Sequence, residues 1–220
     1  MKKYSILLIV AFITGCGEQA HNAKIVQSNS SNIYVLSLVD SLGTLNLEIP
    51  SQYDTLITWV DHSDCGKPCD RQMYRYQQKS MPIQKESGFF YPVLLIDSVD
   101  QITISHNSWF RLQKSDSGIS LARHKSLEYH SKIQSQNMDL YRDTFFVVNG
   151  RGVSVYARER SDSTYGREVL ATTSAKGVEI EFEFKFMSRK QAPDEKRFFR
   201  DAIDILRTIK IDNKPNTRNR

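Results

Sequence analysis

Val178-Glu179-Ile180-Glu181-Phe182-Glu183-Phe184-Lys185-Phe186 alternates without a break. Successive side chains of a strand point to opposite faces, so five apolar residues go one way and four charged residues the other. The stretch reads as an antiparallel strand with one buried face and one wet face. Glu179, Glu181 and Glu183 share the wet face, and the alternation marks them as solvated.

The neighbouring segments extend this reading. Ala175-Lys176-Gly177 is a turn that folds the strand back onto Arg167–Thr173. Further upstream, Asn149-Gly150-Arg151-Gly152 joins Thr144–Val148 to Val153–Ala157, and Asn-Gly readily adopts positive φ, a strong hairpin signal. Downstream, Pro193-Asp194-Glu195 opens a helix, with acids that complement its dipole. Phe198, Phe199, Ala202, Ile203, Leu206 and Ile209 recur there at helical spacing, and this face should cover the sheet.

Toward the N-terminus, Ile33–Val39, Thr44–Ile49 and Leu56–Val60 read as strands, with Pro50 ending the second. Met73–Ile83 reads as extended, and Phe89–Ile96 and Gln101–Ser105 as two more strands. Asn107–Ser117 reads as loop. Leu121–Met138 is polar and free of Gly and Pro, and is predicted as a middle helix. The expected class is α+β: a twisted antiparallel sheet with a middle helix and a C-terminal amphipathic helix packed on it.

Two segments, Gly177–Phe186 and the helix closing on Ile205-Leu206-Arg207-Thr208-Ile209-Lys210-Ile211, resemble the PsbP-like (Mog-type) domain. The resemblance covers about a third of the chain. It implies a non-catalytic accessory, assembly or binding role.

The start of the chain carries a different signal. Lys2 and Lys3 form a basic end, Ile6–Ile13 is an unbroken apolar run, and Ile13-Thr14-Gly15-Cys16 follows. The run is too short for a membrane span, which needs about 20 apolar residues. The arrangement resembles the lipobox of bacterial lipoproteins, which implies cleavage after residue 15 and lipid on Cys16. Two or more acyl chains retain a protein stably on a bilayer where one does not. The expected organisation is a signal peptide over 1–15, a lipidated Cys16 with a polar tether over 16–32, one domain over 33–211 and a disordered polar tail over 212–220. Ala23–Asn32, rich in Ser and Asn, falls in that tether. The expected location is the bacterial cell envelope, membrane-anchored through Cys16, with the domain outside the cytoplasm.

The composition, 40% hydrophobic and 25% charged, is that of an ordinary soluble domain. The net charge is +5, and removing Lys2 and Lys3 leaves about +3. A basic balance would suit nucleic acid, but that partner does not suit the compartment. A protein or glycan partner in the envelope does, and Tyr74, Tyr76, Phe89, Phe90, Tyr91, Trp109 and Phe110 could supply an aromatic patch for it. The basic end from Lys185 onward, with eleven Lys and Arg against five Asp and Glu, reads as solvated charge.

The chain has three cysteines. With Cys16 lipidated, Cys65 and Cys69 remain in an oxidising compartment and are expected to form a structural disulfide. The competing readings are a redox thiol pair or a copper-handling site. C-x-x-x-C also occurs in Sco-type copper chaperones, and His124 or His130 could supply an imidazole. Three residues intervene between the cysteines, where the thioredoxin motif has two, and no helix pattern follows. A zinc site on His62, Cys65 and Cys69 lacks an evident fourth ligand. His21 and His106 complete the histidines, and no two of the five stand four apart. Ser115-Asp116-Ser117-Gly118 lacks the glycine and the partner motifs of a serine nucleophile loop. No catalytic residue, metal or cofactor is assigned. A hydrolase built from residues on distant strands stands as the second alternative.

Overall fold

The computed structural model describes residues 24–27, 31–39, 41–66, 69–83, 98–107, 118, 120, 121, 123–125, 138–160, 165–188 and 194–212. The leader, Cys16, the expected strand Phe89–Ile96, the Trp109 loop, His130 and residues 213–220 lie outside them.

The described residues form two antiparallel sheets, which overturns the expected α+β class. The smaller sheet has the order β1-β2-β3-β11, from β1 (Lys24–Gln27), β2 (Ser31–Leu38), β3 (Gly43–Pro50) and β11 (Lys210–Asp212). The larger has the order β4-β5-β6-β10-β9-β8-β7. Its strands are β4 (Thr55–Asp61), β5 (Arg71–Gln77), β6 (Ser98–His106), β7 (Met138–Val148), β8 (Arg151–Arg160), β9 (Tyr165–Ala175) and β10 (Val178–Ser188).

Two segments account for the change of class. The stretch read as tether holds β1 and the first residues of β2. Of the expected middle helix Leu121–Met138, the described residues 121 and 123–125 are helical, Met138 already opens β7, and the rest lies outside the described residues. The run Leu140-Tyr141-Arg142-Asp143-Thr144-Phe145-Phe146-Val147-Val148 is rich in aromatic and β-branched residues, which fit a pleated surface better than a helix. The strands also run past the alternating cores, because polar ends pair in the ladder as readily as apolar middles.

The large sheet is two meanders joined at one seam. β4, β5 and β6 follow each other as neighbours, and β7 to β10 do the same. The seam is the β6–β10 pair, with Phe182 opposite Ile104 and Glu183 opposite Thr103. Both short hairpins turn on two residues of positive φ, Asn149 (49°) with Gly150 (76°) and Lys176 (51°) with Gly177 (81°). That geometry matches the right-handed twist of the flanking strands.

Between the sheets lies one core. Ile180, Phe182 and Phe184 of β10 face Leu36, Leu45 and Leu47 of the small sheet within one apolar cluster. The C-terminal helix, Glu195–Leu206, starts at Asp194, whose side chain accepts from the Arg197 N–H. It buries Phe199, Ala202, Ile203, Ile205 and Leu206, packing against β3 and β9. Beyond it, Thr208 Oγ1 accepts from the Glu48 N–H (2.9 Å) and Ile209 O from Asn149 Nδ2 (2.7 Å). These bonds dock the chain onto both sheets before β11 pairs with β3.

Candidate functional site

The face of the large sheet turned away from the small one carries the site. Register places Glu181 beside Ser105 and Thr172, and Glu183 beside Thr103 and Leu170. Arg71, Met73 and Arg75 continue the face along β5, and Tyr156 and Arg158 along β8. The helical segment at 123–125 lies against it, with His124 Nδ1 3.1 Å from Ser154 Oγ. Together they enclose a cleft of about 360 Å³ astride the β6–β10 seam.

Glutamates expected to be solvated are therefore half-covered. The Glu181 side chain is 36% exposed and Glu183 30%. Alternation reports which face a residue occupies, not what folds over that face.

Charge inside the cleft is organised around these glutamates. Arg71 Nη2 donates to Glu181 Oε2 and to Ser105 Oγ (2.6 Å). Arg123 Nη2 stands 3.8 Å from the other oxygen, Glu181 Oε1. Arg158 Nε lies 3.3 Å from Glu168 Oε2, and its guanidinium sits over the Tyr156 ring. Arg75 is buried, donates to Thr103 Oγ1 (3.1 Å) and stacks on Trp59 at 4.7 Å. Ile57, Trp59 and Met73 form a small apolar cluster beside it.

Burial pushes the Glu183 carboxyl up to about 7, and its hydrogen bond to Glu168 works in the same direction against Lys185, whose Nζ is 3.8 Å away. Burial also raises Glu179 and the Tyr156 phenol, so Tyr156 keeps its O–H at neutral pH. The cleft thus combines fixed guanidinium donors, a neutral phenol and one carboxyl able to exchange a proton near neutrality.

The cysteine pair lies elsewhere. Cys65 and Cys69 are joined across the β4–β5 connection, with Cα atoms 5.8 Å apart, a separation a disulfide spans. Asp70 anchors the same loop: Oδ1 accepts from the Ser63 N–H (3.0 Å) and Oδ2 lies 2.9 Å from His62 Nδ1. His124, offered above as a copper ligand, sits beside β8 and faces Asp143 of β7, at the opposite edge of the sheet from β4. Among the described residues, no three His, Cys, Asp or Glu side chains converge as a metal site. His106 is buried, with its ring stacked on Tyr74. Tyr74 and Tyr76 are core residues, while Phe89, Phe90, Tyr91, Trp109 and Phe110 fall outside the described residues.

Sequence reasoning missed Arg71, Arg123, Arg158 and Tyr156. They come from three elements far apart in the chain, and only the pairing of the two meanders brings them together. A faint signal existed: Arg71, Met73 and Arg75 alternate along one strand, which puts two guanidiniums on the same face.

No protein-family model matches the chain. No curated protein matches it either. Among solved structures, the chain is similar to the solution structure of cyanobacterial PsbP (CyanoP) from Synechocystis sp. PCC 6803. The TM-score is 0.40 at 12% identity, covering 85% of this chain and 95% of that one.

Proposed function

We propose that the protein is a lipid-anchored binding module of the bacterial cell envelope, held by Cys16, and that the cleft of the large sheet is where it engages its ligand. The cleft carries the reading: fixed charged and polar groups line a concavity of small-molecule size, the usual form of a ligand site. The basic, apolar and Gly15-Cys16 leader supports the anchoring. Its effect is local concentration, since a tethered domain meets membrane partners at a raised effective concentration.

The anchoring is tested by metabolic labelling with a fatty acid and by fractionation. The wild-type chain carries label and sediments with membranes, and Cys16→Ser loses both. Label retained on Cys16→Ser ends the lipoprotein reading. The binding role is tested by native mass spectrometry of protein purified from its envelope. A small-molecule adduct lost in Leu170→Arg, which fills the cleft, supports the role. An adduct that survives this change places the ligand elsewhere.

A second reading rests on Glu183. A carboxyl that titrates near neutrality in a cleft suits general acid–base chemistry, which would make the module a hydrolase. A turnover that Glu183→Gln abolishes while the adduct persists would favour it.

A further inference from the structure

Resting on the cleft as the binding site, we infer that its ligand is a small organic oxyanion, a carboxylate or phosphate on a compact body, held between Arg71, Arg123 and Arg158.

The first observation is convergence. Three guanidiniums from β5, the helical segment and β8 line one cavity of about 360 Å³. Each guanidinium has five N–H donors and no acceptor. Glu181 offers one carboxylate to two of them, and of these two only Arg71 donates a hydrogen bond to it; the 3.8 Å approach of Arg123 is a charge contact beyond hydrogen-bond range. Arg123 Nε is buried and has no hydrogen-bond partner among the described residues. An oxyanion is the acceptor that planar, forked donors fit best.

The second observation is charge. The lining carries three arginines against Glu181 and Glu183. Just outside the lining, Arg75 and Lys185 add two positive charges, and Glu179 and Glu168, the latter paired with Arg158, add two negative ones. The lining therefore has a cationic excess, and it grows whenever Glu183 is protonated. A cation would meet the opposite field.

The third observation is the walls. Met73, Leu170 and the Tyr156 ring give the cleft apolar surface beside the guanidiniums. They suit a ligand with a compact apolar body rather than a bare inorganic ion.

The test is a charge series of one shape, run by calorimetry on the full-length protein in a non-ionic detergent: benzoate, phenyl phosphate, benzamide and benzamidine. Benzoate or phenyl phosphate should bind with Kd at or below roughly 1 mM, at least about tenfold tighter than the neutral and cationic members. The tighter of the two names the oxyanion. Arg123→Ala should weaken it about tenfold or more. Glu181→Gln, which frees Arg71 and Arg123 from their carboxylate, should tighten it several-fold. That gain of affinity cannot come from misfolding. Benzamide or benzamidine binding as tightly as the anions, or Glu181→Gln weakening the anion, overturns the oxyanion assignment and leaves the cleft as a binding site. Binding by none of the four overturns both.

Discussion

At the scale of single residues, Glu183 makes stability depend on pH. Its folded carboxyl titrates at about 7, against 4.5 for the free side chain. As pH rises through that window, the unfolded chain releases the proton first. The native state therefore loses stability between about 4.5 and 7 and is at its full disadvantage above 7. Glu183→Gln cannot titrate. Its stability should differ little from wild type at pH 5 and exceed it by about 1–3 kcal/mol at pH 8, as read by urea denaturation at both values. An equal offset at both would show that Glu183 titrates as it does in the unfolded chain. The sequence placed Glu183 on the correct face of its strand but gave no hint of this behaviour. Glu183 lies between Thr103 and Leu170 of the neighbouring strands and meets Glu168 across the sheet, and no spacing within one strand encodes those neighbours. Cys65 and Cys69 were legible, because their partnership is local in sequence.

At the scale of elements, local chemistry was the reliable guide. Asn149-Gly150 and Lys176-Gly177 turn where expected, since a tight turn depends only on residues able to take positive φ. The C-terminal helix likewise follows from its own Asp194 cap and apolar spacing. The expected middle helix is helical at 121 and 123–125, but absence of Gly and Pro does not mark its end, and Met138 already opens β7. The cysteine loop belongs to this scale too. It closes a short connection at an exposed hairpin end, so its constraint on the unfolded chain is small. Replacing both residues, Cys65→Ser with Cys69→Ser, should lower stability by at most about 2 kcal/mol, measured by urea denaturation. Binding of benzoate or phenyl phosphate should be unchanged, since the loop lies outside the cleft lining. A variant that lost anion affinity would tie the cysteines to the site.

At the scale of the whole molecule, one core serves both sheets and the helix, and Leu206 is fully buried within it. Leu206→Ala should cost about 2–5 kcal/mol. Trp59 fluorescence, read in a Trp109→Phe background so that it reports the outer face of the large sheet, and far-ultraviolet circular dichroism should shift together in urea. Separated transitions would show that the sheets unfold as independent units. Architecture at this scale was the least legible part. The pairing of β6 with β10 and of β3 with β11 joins segments from opposite halves of the chain, and periodicity within a strand does not say which partner it takes. The β6–β10 seam also sets a sequence in time. The meander β7–β10 closes by short connections and can form early, β4–β6 must first close the longer stretch between Gln77 and Ser98, and the seam carries the longest loop-closure cost and falls late. Before it zips, Arg71 and Arg158 belong to unconnected pieces and the cleft does not exist. A ligand that bridges them therefore acts only on the finished chain: it leaves the folding rate alone and slows the opening of the seam, so amide exchange along β6 and β10 becomes the clock that records occupancy.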